Sequence, residues 1–204
     1  MESDFFAYLY RLRHIRRWSL MRNVVEENVA EHSYHVAVLT HALCHIAIEK
    51  YDREISIEKA VSMALFHDAT EIFTGDIPTP VKHHNEHLLR NFRQIEELAA
   101  QRLLEMLPPE LQRSYHPLIF GAESDPELYQ YVKAADLLDA YLKCASEISA
   151  GNTEFKMAGE QIEQQIKKLD MPEVNYFLTH LAPSFQKTLD ELSRTYPDAG
   201  PTYD

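Results

Sequence analysis

The chain has 204 residues, 45% of them hydrophobic and 25% charged, and carries a formal net charge of −12. That charge excludes broad nucleic-acid binding through a basic surface, but a small anionic substrate stays open, because a local basic pocket outweighs a distant net charge. Two cysteines, an acidic Met1-Glu2-Ser3-Asp4 start and no apolar run of eighteen residues exclude a disulfide framework, a signal segment and a membrane span, and predict a cytoplasmic protein.

Phe5, Phe6, Leu9 and Leu12 are spaced for a short amphipathic helix from about Ser3. The densest basic run follows, Arg11 to Arg17, closed by Trp18. It reads either as a solvated basic face with Trp18 plugging the core, or as a phosphate grip in which an arginine fork meets phosphate oxygens beside an indole wall. Residues 29–50 are spaced as a helix whose apolar stripe is Val29, His32, Val36, Leu39, Leu43 and Ile46. His32 on that stripe is a hydrogen-bonded core histidine or an inward-facing metal ligand; His35, His41 and His45 have no evident partner. With Ser56 as N-cap, a helix is expected through about Ile72, on a stripe of Val61, Leu65, Asp68 and Ile72. A buried Asp68 demands a cation or several hydrogen bonds, and His67 beside it offers a second ligand to one divalent metal. Glu71, three and four residues on, falls on the same helical face. The alternative is a surface His-Asp pair.

Gly75 stops that helix, and Pro78 and Pro80 hold an extended loop whose Asp76, Thr79 and Lys82 can lie over the same site. The cluster His83, His84 and His87 reads as a polar helix start or, failing that, as part of a second metal site. Leu88, Phe92, Ile95, Ala99, Leu103 and Met106 mark a long amphipathic helix stopped by Pro108-Pro109, and a short helix is expected over 110–120. Asp125-Pro126-Glu127 opens a helix to about Ala150, with Leu128, Val132, Ala135, Asp139 and Leu142 on its apolar stripe. Asp136 and Asp139 lie in or beside that stripe, and Lys133 and Lys143 are expected in solvent. A further helix spans about Thr153 to Leu169, and Asp170-Met171-Pro172-Glu173 resembles a capping box for a last helix to about Thr195, broken at Pro183. No strand is apparent. The expectation is an all-α, single-domain bundle of about eight helices over residues 1–196, with a mobile tail over 197–204.

The ordered set His32, His67-Asp68, Asp136 resembles the HD-domain metal-dependent phosphohydrolases. The local sequences Arg17-Trp18-Ser19-Leu20-Met21-Arg22-Asn23, Glu27 to Ser33, His67-Asp68-Ala69-Thr70-Glu71, Gly75 to Lys82, and Ala134-Ala135-Asp136 with Ala140 to Cys144 are similar to the bacterial 5′-deoxynucleotidases of the YfbR type, from Phe5-Phe6 to Pro183-Ser184-Phe185. The resemblance implies removal of the 5′-phosphate from deoxyribonucleoside monophosphates, with deoxyribose preferred over ribose and little base selectivity. It implies a divalent transition metal, cobalt or manganese, and a homodimer. It implies metal ligands His32, His67, Asp68 and Asp136, a phosphate-orienting Arg17, Trp18 as a wall near C2′, and Glu71 and Asp76 as acids near the scissile bond. The loop Asp76, Ile77, Pro78, Thr79 and Pro80, with His32, Asp68 and Asp136, is then also in contact with the nucleotide. His83, His84 and His87 are outside the pattern. Two rival functions remain: an HD-domain hydrolase of a nucleoside triphosphate, cyclic nucleotide or guanosine tetraphosphate, and a non-catalytic helical module stabilised by its metal.

Overall fold

A computed structural model describes residues 2–82 and 84–194, with the backbone alone at 79 and 80; the expected tail over 197–204 and His83 lie outside the described residues. Helix α1 (Phe5–Leu9) passes into a 3₁₀ turn over Tyr10–His14. Helix α2 (Val29–Tyr51) starts from a full capping box: the Asn28 side chain accepts from the Glu31 N–H, and the Glu31 carboxylate accepts from the Asn28 N–H. Two otherwise orphaned donors are thereby satisfied at the end that carries His32. The whole expected stripe of α2 is buried, His32 included.

Helix α3 (Ile57–Phe66) is shorter than expected. It breaks at His67, gives way to turns over 67–70, and resumes as the single turn α4 (Glu71–Thr74). The local reason is a competition for one acceptor. The His67 ring Nδ1 donates to the Ala64 carbonyl at 2.7 Å, the oxygen that the Asp68 N–H would use in a continued helix. The chain then tightens through Ala69 N–H to Phe66 O and Glu71 N–H to Asp68 O. Ser56 precedes α3 without a side-chain cap bond, and the buried line of α3 is Ala60, Met63 and Ala64, leaving Leu65 exposed. The small alanines let α2 approach closely, so the buried line is displaced from the one expected.

Gly75, at φ +70°, ends α4 in backbone that a side chain would strain. The following segment is not wholly extended: Thr79–Lys82 forms one helical turn, α5, with a proline in its first turn, where a missing N–H costs nothing. Asn85 caps α6 (Glu86–Glu105), on which Ile95 is exposed and burial is concentrated at Ala99, Ala100, Leu103 and Leu104. Then come α7 (Pro109–Ile119) and the single turn α8 (Gly121–Ser124). Asp125 caps α9 (Pro126–Ser149) as expected, and its stripe residues Leu128, Val132, Ala135, Asp139 and Leu142 are buried. A 3₁₀ turn over Thr153–Phe155 leads into α10 (Lys156–Leu169). Asp170 ends α10 in the left-handed region, at φ 50°, and α11 (Pro172–His180) begins without a side-chain cap, so the expected capping box is a C-cap. Pro183 lies in a 3₁₀ turn over Ala182–Gln186 before α12 (Leu189–Arg194).

Helices account for all the regular structure among the described residues apart from one isolated bridge, Arg16 to Asn28. The all-α expectation holds; the extra short segments arise where expected helices break. Among the described residues no helix is long and apolar enough to cross a membrane. The main core gathers α2, α3, α9, α10 and α11 around Val36, Leu43, Met63, Leu138 and Phe155. A second apolar cluster joins Phe5, Ala69, Leu103, Leu104 and Leu107, with the Phe5 ring edge-on to Tyr115. Ala69 ties the turn after His67 into this second cluster, so Asp68 is clamped between two cores.

Candidate active site

Three elements bring the four expected ligands together: α2 supplies His32, the end of α3 supplies His67 and Asp68, and α9 supplies Asp136. His32 Nε2 lies 3.3 Å from His67 Nε2, 3.3 Å from Asp68 Oδ2 and 3.4 Å from Asp136 Oδ1, and His67 Nε2 lies 3.2 Å from Asp68 Oδ2. The opposite ring nitrogens are committed elsewhere. His67 Nδ1 donates to the Ala64 carbonyl and His32 Nδ1 donates to Asp139 Oδ2 at 2.7 Å. Carbonyl and carboxylate oxygens only accept, so both Nδ1 atoms carry hydrogen, and in the neutral rings both Nε2 lone pairs face the same point. Ligand atoms of His32, His67 and Asp68 all lie within 4.8 Å of one another, separations that suit atoms about 2.1 Å from one shared ion, and Asp136 stands beside them through its 3.4 Å approach to His32 Nε2. The donor set therefore fits a divalent transition metal.

The electrostatics agree. Against the cost of burial, His67 and His32 hold Asp68 well below the usual carboxylate range. Asp136 is likewise lowered to about 2, its burial outweighed by a hydrogen bond from His32 and the nearby His67. Burial opposes a charge on His32, yet Asp136, Asp139 and Asp68 raise its pKa well above the ordinary value. The centre concentrates enough negative potential to hold a proton where a cation would sit.

Arg17 is brought to this centre by a loop, residues 15–28, that is fastened at several points. Arg17 N–H donates to Glu27 O and Val29 N–H to Ile15 O, each at 3.0 Å. Arg17 Nη1 donates to Glu27 Oε2 at 3.1 Å and lies 3.5 Å from Asp139 Oδ2, with all three side chains about nine-tenths buried. Burial opposes the Arg17 charge, but Glu27, Asp136, Asp68 and Asp139 reverse that and raise its pKa. Trp18 adopts φ 55°, a left-handed conformation costing about 1–2 kcal/mol in a non-glycine residue. Two side chains hold it there: Asp76 Oδ2 accepts the Trp18 N–H at 3.2 Å, and Asn23 Nδ2 donates to the Trp18 carbonyl at 3.1 Å. The indole leans on Phe155, centroids 5.4 Å apart, and its Nε1–H is buried with no partner among the described residues.

A carboxylate the sequence did not reveal ties this loop to α9. Glu147, buried, accepts from Val24 N–H at 2.9 Å, Val25 N–H at 3.2 Å and Asn152 Nδ2 at 2.8 Å, and pairs with Lys143. Burial alone would raise it; Lys143, Val24, Asn152 and Val25 lower it to about 2. Lys143 is accordingly held inside, not in solvent as expected.

The cluster opens on a cavity of about 930 Å³. Arg17, Trp18, His67, Asp68, Glu71, Asp76, Ile77, Pro78 and Asp136 all line it, and Lys82 and Lys133 reach its wall. The expected side-chain contacts of Thr79 and Pro80 lie outside what the structure describes. Glu71 stays beside Asp68 although no continuous helix joins them. Its Oε2 is buried without a hydrogen-bond partner among the described residues, and burial, with Asp68 and Asp76 nearby, pushes its pKa up to about 9. Burial also raises Asp76, opposed by Arg17 and the Trp18 N–H. His84 and His87 are exposed, as the polar reading expects. Asp139 was visible in sequence as a buried carboxylate, and its three-residue offset from Asp136 was the signal for its place behind His32. His35 Nδ1 stands 3.6 Å from the other Asp139 oxygen, a partner that spacing alone does not disclose.

A model of the family described as 5′-deoxynucleotidase YfbR-like matches residues 4–185. The chain is similar to the 5′-deoxynucleotidase yfbR of Photorhabdus temperata, 46% identical over 96% of this chain and 100% of that one. Among solved structures, an HD-domain phosphohydrolase of Listeria innocua has 26% identity and a TM-score of 0.79 over 94% of this chain and 96% of its own. The cyanophage S-2L HD phosphohydrolase DatZ, solved with dA and one catalytic Zn²⁺, shares the fold at 23% identity and a TM-score of 0.62, over 89% of this chain and 96% of that one.

Proposed function

The chain belongs to the YfbR-like 5′-deoxynucleotidase family and is a metal-dependent phosphoric monoester hydrolase, and from that premise we propose which of its residues carry the reaction. His32, His67, Asp68 and Asp136 hold the divalent ion. The observation that carries this is the convergence of both Nε2 atoms and the Asp68 carboxylate at the cavity wall, with Asp136 against His32 Nε2. The bound ion supplies a Lewis acid and an acidified water. Four protein ligands leave open positions only around a five- or six-coordinate ion, which favours Mn²⁺ or Co²⁺ over closed tetrahedral Zn²⁺.

Arg17 orients the phosphate. Its guanidinium is already aimed by Glu27 and Asp139, so less freedom is lost on binding. Glu71, whose burial favours the protonated form, gives its proton to the departing 5′-oxygen. Asp76, tethered to the Trp18 N–H, positions the attacking water. The Trp18 face packs at C2′ and excludes a 2′-hydroxyl without any polar reader, and Ile77, Pro78, Thr79 and Pro80 close over the nucleotide. From the family likeness, the protein acts as a homodimer in the cytoplasm; sedimentation as a single 23.7 kDa species overturns the dimer.

The deciding assay measures phosphate release from dAMP, AMP and dATP with Mn²⁺ or Co²⁺, with Asp68→Ala as control. Release from dAMP alone, lost in the variant, is expected. Release mainly from dATP overturns the monophosphate assignment, and no release from any of them leaves a non-catalytic module. Trp18→Ala is expected to admit AMP; an unchanged deoxyribose preference rejects the wall.

A further inference from the structure

Two tyrosines two residues apart on α9 are treated differently by the fold. Tyr131 faces the core, and its hydroxyl donates to the Glu173 carboxylate at 3.4 Å. Tyr129 lies on the line of α9 that carries Asp136, seven residues or about two turns away. Its ring forms part of the wall of the 930 Å³ cavity, and its hydroxyl has no hydrogen-bond partner among the described residues. One edge of the ring packs on Gly121. A Cβ built on Gly121 would stand 2.9 Å from its Cδ2 and 3.0 Å from its Cε2, closer than any side chain tolerates, so the absence of a side chain at 121 is what makes room for it. The fold has thus fixed a phenol in the cavity wall and left its polar end uncommitted, whereas the neighbouring core tyrosine is satisfied.

We propose that the Tyr129 hydroxyl makes a hydrogen bond to the nucleoside half of the substrate. This rests on the reading of the cavity as the deoxynucleotide site. With the phosphate at the metal ligands and Arg17, the sugar and base must occupy the rest of the cavity, and Tyr129 is two helical turns from the ligand Asp136 on the same wall. Burial, with the carboxylates of Asp68 and Asp136, raises the phenol above its ordinary range. It therefore stays protonated, and available as a donor, across the working pH. Two groups on the nucleoside fit that chemistry, the 3′-hydroxyl and an acceptor on the base edge.

Tyr129→Phe keeps the ring and its packing on Gly121 while removing the hydroxyl. The test compares wild type and variant on dAMP, 2′,3′-dideoxyadenosine monophosphate and deoxyribose 5-phosphate. A net hydrogen bond of ordinary strength predicts a KM for dAMP raised roughly three- to twelvefold, with kcat changed less than twofold. The increase should vanish on the dideoxy substrate if the 3′-hydroxyl is the partner, or on deoxyribose 5-phosphate if the base is. Trp18 is the single tryptophan and lines the same cavity, so its fluorescence gives the dissociation constant of deoxyadenosine without turnover; that constant should rise by a similar factor. Gly121→Ala, which displaces the ring but keeps the hydroxyl, should raise KM in the same direction. An unchanged KM for dAMP in Tyr129→Phe, or an equal rise on all three substrates, overturns the proposal. Failure of the wild-type enzyme to release phosphate from dAMP at all would instead reject the underlying reading of the cavity.

Discussion

At the scale of single residues, the site is a set of side chains whose second atoms matter as much as their first. Asp139 accepts from His32 Nδ1 and lies beside Arg17, so one carboxylate aims both the proposed metal ligand and the proposed phosphate grip. Asp139→Asn is expected to weaken metal binding about 10- to 100-fold, read by calorimetric titration with Mn²⁺. Because His32 must surrender a proton to bind, the same titration in buffers of different ionisation enthalpy should show proton release, and affinity should fall as pH falls. Glu71 behaves oppositely. Its folded pKa of about 9 stands above the ordinary 4.5, so the folded state holds a proton that the unfolded chain has lost. In metal-free protein its contribution to stability is fully present below about pH 4.5 and is lost as pH rises toward 9. Glu71→Gln removes that loss: its melting temperature should exceed that of wild type at pH 8 and match it at pH 4. The same variant should lose turnover, and near-full activity would transfer the acid role to Asp76.

At the scale of elements, the loop over residues 15–28 is the least regular piece and carries Arg17 and Trp18. It is tied to α9 by the buried carboxylate of Glu147, by Lys143, which donates to the Val25 carbonyl, and by the Arg17–Asp139 pair. With its pKa lowered to about 2 from 4.5, Glu147 stabilises the fold above about pH 4.5 and loses that effect as pH falls toward 2. Glu147→Gln should therefore lower the melting temperature at pH 7, with the deficit shrinking in acid, and should reduce kcat/KM for dAMP while leaving Mn²⁺ affinity within about threefold. What the sequence made legible divides along the same line. Helical periodicity exposed α2 and α9 with their stripes, because burial repeats every three to four residues, and it placed His32 and Asp136 inward. Ligands bonded across long separations in the chain left no such trace. Glu147 reaches 122 residues back to Val25, and its polar type on an apolar helix was the only sign. Periodicity also overran the end of α3, because a side chain of His67 takes a backbone acceptor there. The resemblance in motifs, rather than spacing, supplied roles for Arg17 and Trp18.

At the scale of the whole molecule, two apolar clusters meet at the turn that holds Asp68, so an ion at the proposed site would bear on both. An ion that binds only the folded state should raise the melting temperature with concentration, and Asp68→Ala should abolish that shift. His32 has no exposed surface, and its far nitrogen is sealed by Asp139. The route between the proposed metal site and solvent therefore runs through the cavity proposed to hold the nucleotide. Ion and substrate then share one doorway, and a nucleoside that enters after the ion closes the ion's way out. Stripping of the metal by a chelator should slow as deoxyadenosine fills the cavity, with a rate that falls in proportion to the unoccupied fraction. A stripping rate indifferent to the nucleoside would reveal a back door that the sealed side of His32 does not show.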